Sequence, residues 1–378
     1  MIDRPRVLCV FGTRPEAIKM APVVRSLGAP SSALEPVVCV TDQHREMLDQ
    51  VLRFFGLGPD HRLGIMQTNQ TPSAVAARVL ERLPAVIDRV QPAALLVQGD
   101  TTTTVASALA GFYAGVPVGH VEAGLRTRRL DSPFPEEANR QLTTTLARWH
   151  FAATSQARDN LLHDHVPASH IVVTGNPVVD ALLWATKRLG TRRVGPRLPA
   201  DATRRLILVT AHRRESFGAP FVELCSALRE LADRNPDVEL AYPVHLNPQV
   251  QAPVQRLLDS HPRIHLLPPV TYWELVDLMR HSYLVLTDSG GIQEEAPALG
   301  KPVLVLRETT ERSEGVAAGT ALLVGTTRRR IVEEAERLLH DPGAYESMAR
   351  AHNPYGDGHA SERIVHVLRE GLVAKDAA

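Results

Sequence analysis

The sequence predicts an α/β chain built of two doubly wound, Rossmann-like domains facing a central cleft. Three observations carry this. Short apolar runs alternate with helical patterns almost from end to end, the signature of βαβ units and a parallel sheet. One stretch, 189–204, is rich in Gly, Pro and Arg, lacks any apolar period and interrupts the rhythm. The length of 378 residues, 44% apolar and only 22% charged, suits two buried cores of ordinary size.

In chain order, strands are expected at Arg6 to Phe11, Pro36 to Thr41, Ala94 to Gln98, Val116 to His120, His150 to Ala153 and Ile171 to Thr174. Each is a short run without strict alternation, as a strand covered on both faces requires. Cys9 and Cys39 lie inside two such runs. With Cys225 they form no CxxC pair and no metal-ligand spacing, so they read as core residues of a reduced, cytosolic protein. After 189–204, a second series follows at Leu206 to Thr210, Glu239 to Pro243, Ile264 to Leu267, Leu284 to Thr287, Val303 to Leu306 and Ala321 to Val324. The expected division is an N-terminal domain at 1–188, a linker at 189–204, a second domain at 205–360 and a C-terminal helix within 361–378 that can pack back on the first domain.

Composition excludes several partners. Lys+Arg number 42 against Asp+Glu 42, and the aromatics are only Phe 8, Trp 3 and Tyr 6, so there is neither a basic excess nor a stacking surface for nucleic acid. No apolar run approaches the roughly 18 residues that span a bilayer, and the chain enters a strand with no signal-like apolar region before it, so a cytoplasmic protein without membrane association is expected. GxGxxG after a strand, GxxxxGK[ST], HExxH and GxSxG are all absent, so no cofactor and no metal are expected. His163-Asp164-His165 reads as a solvated helix end. What remains is a set of strand-to-helix junctions loaded with polar residues, where a doubly wound fold places its ligand.

The first junction is Phe11-Gly12-Thr13-Arg14-Pro15-Glu16-Ala17-Ile18-Lys19, in which Thr13 or Arg14 can cap a helix with Pro15 at its start. Arg14 and Lys19 fall near that helix N-terminus, where the dipole disfavours cations, so an anionic ligand is the economical explanation. Lys19 is also one of only four lysines, with Lys187, Lys301 and Lys375, in a chain that otherwise uses Arg. Next come Gln98-Gly99-Asp100 before four threonines, with Asp100 either an N-cap or a site carboxylate, and His120-Val121-Glu122-Ala123-Gly124-Leu125-Arg126, with Arg126 a candidate partner for Glu122. In Pro133-Phe134-Pro135-Glu136-Glu137-Ala138-Asn139-Arg140, the pair Glu136 and Arg140 has i,i+4 spacing. Asp100, Glu122 and Glu136 come from one sheet edge, and converging carboxylates push their pKa values apart, as a site holding both a base and an acid needs.

The second domain offers His212-Arg213-Arg214-Glu215 after its first strand and His245 after its second. It also has Thr287-Asp288-Ser289-Gly290-Gly291-Ile292-Gln293-Glu294-Glu295, whose backbone N–H groups at the two-glycine turn can cradle a diphosphate while a Glu about a turn further in accepts from ribose hydroxyls. Lys301 and the segment Arg307 to Arg312 complete this rim.

These segments, with Gln43-His44-Arg45-Glu46-Met47-Leu48 and Thr174-Gly175-Asn176-Pro177, resemble the non-hydrolysing UDP-N-acetylglucosamine 2-epimerase family from about Val7 to Gly325. The resemblance implies a glycosyltransferase-B-like fold and a homodimer that interconverts UDP-N-acetylglucosamine and UDP-N-acetylmannosamine by anti elimination of UDP to a 2-acetamidoglucal and re-addition on the other face. By match to the family's motifs it implies Asp100, Glu122 and Glu136 as catalytic carboxylates, His212 as the catalytic histidine and Lys19 as an essential lysine. Which carboxylate serves which face is left open. It further implies UDP-sugar contacts at Arg14, Arg140, Ser289, Gly290, Gly291, Glu295 and Arg312, and a second UDP-N-acetylglucosamine as activator near Gln43, His44, Arg213 and His245. Two segments depart from the family pattern. Arg128-Arg129-Leu130-Asp131 stands where Gly-Asp or Gly-Asn and an aromatic residue are common, and Met66 to Pro72 lacks the usual Gly-Gln. A hydrolysing epimerase, a UDP-sugar transferase and a catalytically silent UDP-sugar-binding regulator are the rival readings.

Overall fold

The computed structural model describes residues 4–42, 45–67, 70–196 and 203–373. The chain divides into two units, Met1–Ala181 with Tyr355–Ala378, and Leu182–Pro354.

In the first unit the order is β1 (Arg6–Phe11), α1 (Arg14–Leu27), β2 (Glu35–Val40), α2 (Arg45–Phe55), β3 (His61–Arg62), α3 (Pro72–Val90), β4 (Ala94–Gln98), α4 (Thr102–Tyr113), β5 (Val118–Ala123), α5 (Glu136–Leu146), β6 (Trp149–Ala152), α6 (Ser155–His163), β7 (Ile171–Val173) and α7 (Pro177–Leu189), the last carrying the division between units. Its seven strands are ordered β3-β2-β1-β4-β5-β6-β7, and every pairing is parallel. Leu8 and Val10 of β1 pack with Leu95 and Val97 of β4 under Val79, Leu83 and Ile87 of α3. Each such fully buried aliphatic side chain contributes roughly 1.5–3 kcal/mol.

The second unit runs β8 (Arg205–Thr210), α8 (Ala219–Arg234), β9 (Val238–Pro243), α9 (Pro248–Leu258), β10 (Ile264–Leu267), α10 (Tyr272–His281), β11 (Leu284–Thr287), α11 (Gly290–Ala298), β12 (Val303–Val305), α12 (Ser313–Ala317), β13 (Ala321–Leu323), α13 (Arg328–His340) and α14 (Pro342–Ala349); α15 (Ala360–Val373) then belongs to the first unit. The six strands are ordered β10-β9-β8-β11-β12-β13, again all parallel. Phe221, Leu228 and Leu231 of α8 pack with Ile207, Val209 and Leu240 of the sheet beneath. The expected α/β class is therefore what the chain forms: two doubly wound parallel sheets.

Four details differ from the sequence reading. β3 was not expected, because two polar residues carry no apolar run. β5 continues past His120 to Ala123, with a register shift against β6 between Val121 and Ala123. The stretch 189–204 is not a free linker through Gly195. Asp277 of α10 accepts hydrogen bonds from Val194 N (3.1 Å) and Gly195 N (2.9 Å), and Arg280 donates to the carbonyl of Arg192 (3.0 Å). Residues 197–202 lie outside the described residues. The observed division at 181/182 and 354/355 also precedes the boundaries expected at 188/189 and 360/361. Its cause is local bonding: Asn176 N donates to the Tyr355 carbonyl (2.7 Å), and Asp180 of α7 accepts from Ala360 N (3.2 Å) and Ser361 N (2.7 Å) at the start of α15. The three cysteines are buried and free, and burial pushes the Cys39 and Cys225 thiols up to about 12. No helix among the described residues is long and apolar enough to cross a membrane.

Candidate functional site

In each unit the strand order reverses beside the first strand, between β1 and β4 and between β8 and β11, which leaves a crevice at the carboxyl ends of the strands. Among the described residues, those singled out by the sequence lie on these strand ends, on the loops that leave them or at the starts of the helices that follow.

In the first unit, Thr13 caps α1 in a capping box with Glu16, whose Oε2 accepts from Gly12 N (3.1 Å) and Thr13 N (2.7 Å). The other oxygen of Glu16 accepts from Thr101 Oγ1 (2.8 Å), so one buried carboxylate ties the loop after β1 to the loop after β4. Burial outweighs these donors and raises the Glu16 pKa. Gly12 is required for close approach: a Cβ there would lie 1.9 Å from Thr41 Oγ1.

Asp100 does not cap α4; Thr101 does, accepting from Thr104 N (3.1 Å). Asp100 instead receives Arg140, whose Nε and Nη2 lie 2.9 and 2.8 Å from Asp100 Oδ2. Arg140, with a side chain 5% exposed, also donates to Glu137 Oε2 (3.1 Å). Glu137 is 0% exposed and accepts in addition from Thr127 N (2.9 Å), Arg128 N (3.1 Å) and Gln141 Nε2 (2.9 Å). Burial alone would raise its pKa, but these donors together hold it below the ordinary carboxylate range. Arg140 thus belongs to Asp100 and Glu137 as well as to the helix face shared with Glu136. Glu136 itself is the first residue of α5, half-buried.

Glu122 sits at the β5 irregularity with φ of 63°, a left-handed conformation that a non-glycine residue adopts only when its surroundings impose it. Its Oε2 meets Lys19 Nζ at 2.5 Å and accepts from Gln98 Nε2, and its Oε1 accepts from Asn176 Nδ2 (3.0 Å). A Cβ at Gly99 would lie 3.7 Å from Glu122 Oε2, so this carboxylate borders the backbone that carries Asp100. Arg126 is not its partner: the guanidinium binds Asp164 (2.8 Å) and Thr144 (2.8 Å). Asp164, expected to be solvated, also accepts from Arg128 Nη1 (2.9 Å). Arg128 has φ of 62°, so this chain places a charged residue in a left-handed position of the departing loop, followed by exposed Leu130 and Phe134.

Behind Glu122, His120 and His150 are paired across β5 and β6 and buried. His120 Nε2 lies 2.7 Å from the Gly99 carbonyl, which only accepts, so this nitrogen carries the proton. Burial lowers the His120 pKa to about 4, and burial with the neighbouring His120 lowers that of His150 to about 3. Below the ordinary value of 6.5 the unfolded chain binds protons that the folded chain does not, so stability present above pH 6.5 is lost as pH falls toward 4. The His120 shift alone corresponds to roughly 3 kcal/mol. His150→Phe is therefore expected to flatten the fall of the urea midpoint between about pH 7 and pH 5. An unchanged slope would refute the assignment.

In the second unit, Asp288 plays the part that Glu16 plays in the first. Its Oδ2 accepts from His212 N (2.6 Å) and Arg213 N (2.7 Å), tying the loop after β11 to the loop after β8. The His212 ring stacks on His245, with centroids 5.1 Å apart and planes 8° from parallel. Burial lowers the His212 pKa, against the opposing charge of Asp288. Arg213 and His245 line a cavity of about 470 Å³ with His212, Arg214, Glu215 and Asn247. Gln43 and His44 lie outside the described residues, as do Thr68 and Asn69 of the second departing segment.

Ser289 precedes α11 without capping it through its side chain, and Gly290 and Gly291 open the helix. A Cβ at Gly290 would meet the Arg312 guanidinium at 3.2 Å, so the missing side chain lets Arg312 lie against the turn. Arg312 is held by Glu294 (2.9 Å) and Glu311 (3.3 Å), and Glu295 accepts from the Tyr272 hydroxyl (3.1 Å). Arg14 opens α1 in the first unit, half-buried.

The sequence reading assigned no role to Glu16, Glu137, Asp288, Gln98 or Asn176. Thr13 and Glu16 have capping-box spacing, which could have revealed the first. The others depend on partners distant in sequence.

A family model described as UDP-N-acetylglucosamine 2-epimerase matches residues 29–369. A Yersinia pestis protein named UDP-N-acetylglucosamine 2-epimerase is 56% identical over 374 residues, covering 97% of this chain and 99% of that protein. The crystal structure of the Neisseria meningitidis UDP-GlcNAc 2-epimerase bound to UDP-GlcNAc is similar at a TM-score of 0.89 and 48% identity, covering 96% of this chain and 99% of that one. The Methanocaldococcus jannaschii UDP-GlcNAc 2-epimerase in complex with UDP-GlcNAc and UDP matches at a TM-score of 0.79 and 30% identity, over 96% and 99% of the two chains.

Proposed function

Because the chain belongs to the UDP-N-acetylglucosamine 2-epimerase family, we propose that it interconverts UDP-N-acetylglucosamine and UDP-N-acetylmannosamine in the cytoplasm, without hydrolysis and without a cofactor. The observation that carries this reading is Glu122, held in a left-handed conformation by Lys19, Gln98 and Asn176 beside the Gly99-Asp100 peptide. Two carboxylates fixed at one sheet edge, each with its own cation, suit proton transfer at the two faces of one carbon.

The reaction calls for carboxylates and for cations. C2–H has no adjacent carbonyl to acidify it, so the C1–O bond must loosen first, leaving an oxocarbenium-like centre. A base then removes the C2 proton, C1=C2 forms and UDP departs with the C1–O electron pair. Return of UDP to C1 and of a proton to the opposite face of C2 gives the epimer. Asp100, Glu122 and Glu136 serve the cation and the proton, and Lys19 pairs with Glu122. Arg14, Arg140, His212, Arg312 and the Ser289, Gly290 and Gly291 turn serve binding and the diphosphate, with Glu295 for the ribose. A positioned base supplies roughly 10²- to 10⁴-fold, and each preorganised electrostatic contact about 10²- to 10³-fold by analogy with oxyanion holes. Neither suffices alone. The same reading includes a homodimer and a second UDP-N-acetylglucosamine as activator, for which the Arg213 and His245 cavity offers cationic and aromatic lining.

Incubation with UDP-N-acetylglucosamine in D₂O, followed by NMR, tests the proposal. Deuterium at C2 with a manno product is expected. Accumulating UDP and free sugar would instead assign a hydrolysing epimerase, and no turnover would leave a binding protein.

A further inference from the structure

We propose that Asp288 is a positioning residue for His212, fixing which ring nitrogen carries the proton. This rests on the reading of His212 as a residue of the UDP site. Asp288 follows β11 directly, is 1% exposed and spends Oδ2 on the backbone N–H groups of His212 and Arg213. Its Oδ1 is buried with no hydrogen-bond partner among the described residues, and lies 3.7 Å from His212 Nδ1. A buried carboxylate oxygen without a donor is costly, and the imidazole N–H is the donor within reach. A small ring rotation closes the gap, as happens when a site tightens around its ligand.

Arg214 and Glu215 line the same cavity as His212, and three groups act on its ring. Asp288 lies at its Nδ1 edge, His245 stacks on one face, and Arg213 is its neighbour in the chain. Asp288 alone among them favours the imidazolium; His245 and Arg213 oppose it. With the proton held at Nδ1, Nε2 is the nitrogen that takes up and gives a proton as charge grows on the departing diphosphate. Asp288 then faces the imidazolium with an opposite charge. The backbone bonds serve the same end, since they fix the Cα from which the ring projects.

Long-range ¹H–¹⁵N NMR of the full chain labelled at histidine tests this, with the His212 signal assigned by its loss in His212→Gln. The Nδ1–H tautomer is expected in the unsubstituted protein, and an Nε2–H tautomer would overturn the proposal. Asp288→Asn keeps an oxygen for the two backbone N–H groups but turns an amide N–H toward Nδ1. It is expected to lower the His212 titration midpoint and to reduce kcat roughly 10- to 100-fold with little change in KM, by analogy with groups that orient metal-bound histidines. An unchanged midpoint overturns the proposal even if kcat falls, because a purely structural loss leaves the titration alone. The tautomer is read on the unsubstituted chain, so it decides the matter if the variant does not fold. The absence of epimerisation by the unsubstituted protein would instead count against the proposed function, independently of the NMR result.

Discussion

Glu122→Gln is expected to reduce C2 deuterium exchange by about 10³-fold or more, while UDP binding measured by calorimetry changes by only a few fold. The reason is the donor set. Lys19 and Gln98 point N–H groups at one oxygen, and Asn176 points one at the other. Each of these three partners is a donor, so either orientation of a glutamine amide sets an NH₂ against an N–H. The charge that pairs with Lys19 is lost at the same time. The loss combines a base with electrostatic stabilisation, each of which is worth orders of magnitude. Near-normal exchange in this variant would remove Glu122 from the mechanism. UDP binding is the control, because the second unit's residues assigned to the diphosphate are untouched.

The second large effect is on stability. Glu137→Ala is expected to lower the unfolding free energy by about 3–5 kcal/mol, the range for removing one partner of a buried ion pair. Arg140 would keep Asp100 but lose the carboxylate beneath it, and the N–H groups of Thr127 and Arg128 would lose their acceptor. Urea unfolding reads the loss directly; a change under about 1 kcal/mol would show that the cluster is not structural. Turnover should fall as well, because Arg140 is what orients Asp100. Glu137→Gln retains an acceptor oxygen and should cost less.

The contrast between these two residues shows what the sequence could tell. Glu122 was visible because a carboxylate at the end of an apolar strand is expensive unless used. Its left-handed backbone and its bulge were not visible, since no glycine marks them and the strand was read as ending at His120. Glu137 looked like ordinary first-turn helix chemistry, with Glu136 and Arg140 the evident pair. Its role appears only when α5 is set beside the loops after β4 and β5, a matter of tertiary register. Asp100 misled locally for a similar reason: the hydroxyl of Thr101, one residue on, takes the cap and releases the carboxylate. The parallel strands were legible because continuous apolar runs leave little alternative, whereas His61–Arg62 pairs through its backbone and leaves no trace in composition. Lys19 was legible through scarcity, and its compact ammonium on a four-carbon stem reaches Glu122 at 2.5 Å.

Glu16 and Asp288 hold in common the loops on either side of a switch point, each within its own unit. Loops fastened in this way have surrendered their conformational entropy during folding, so an arriving nucleotide sugar does not have to order them, and its contacts there go into affinity. The thermodynamic signature would be a binding entropy less unfavourable than that of a site assembled around its ligand. Cutting either staple would shift that ordering cost from the birth of the protein to every turnover.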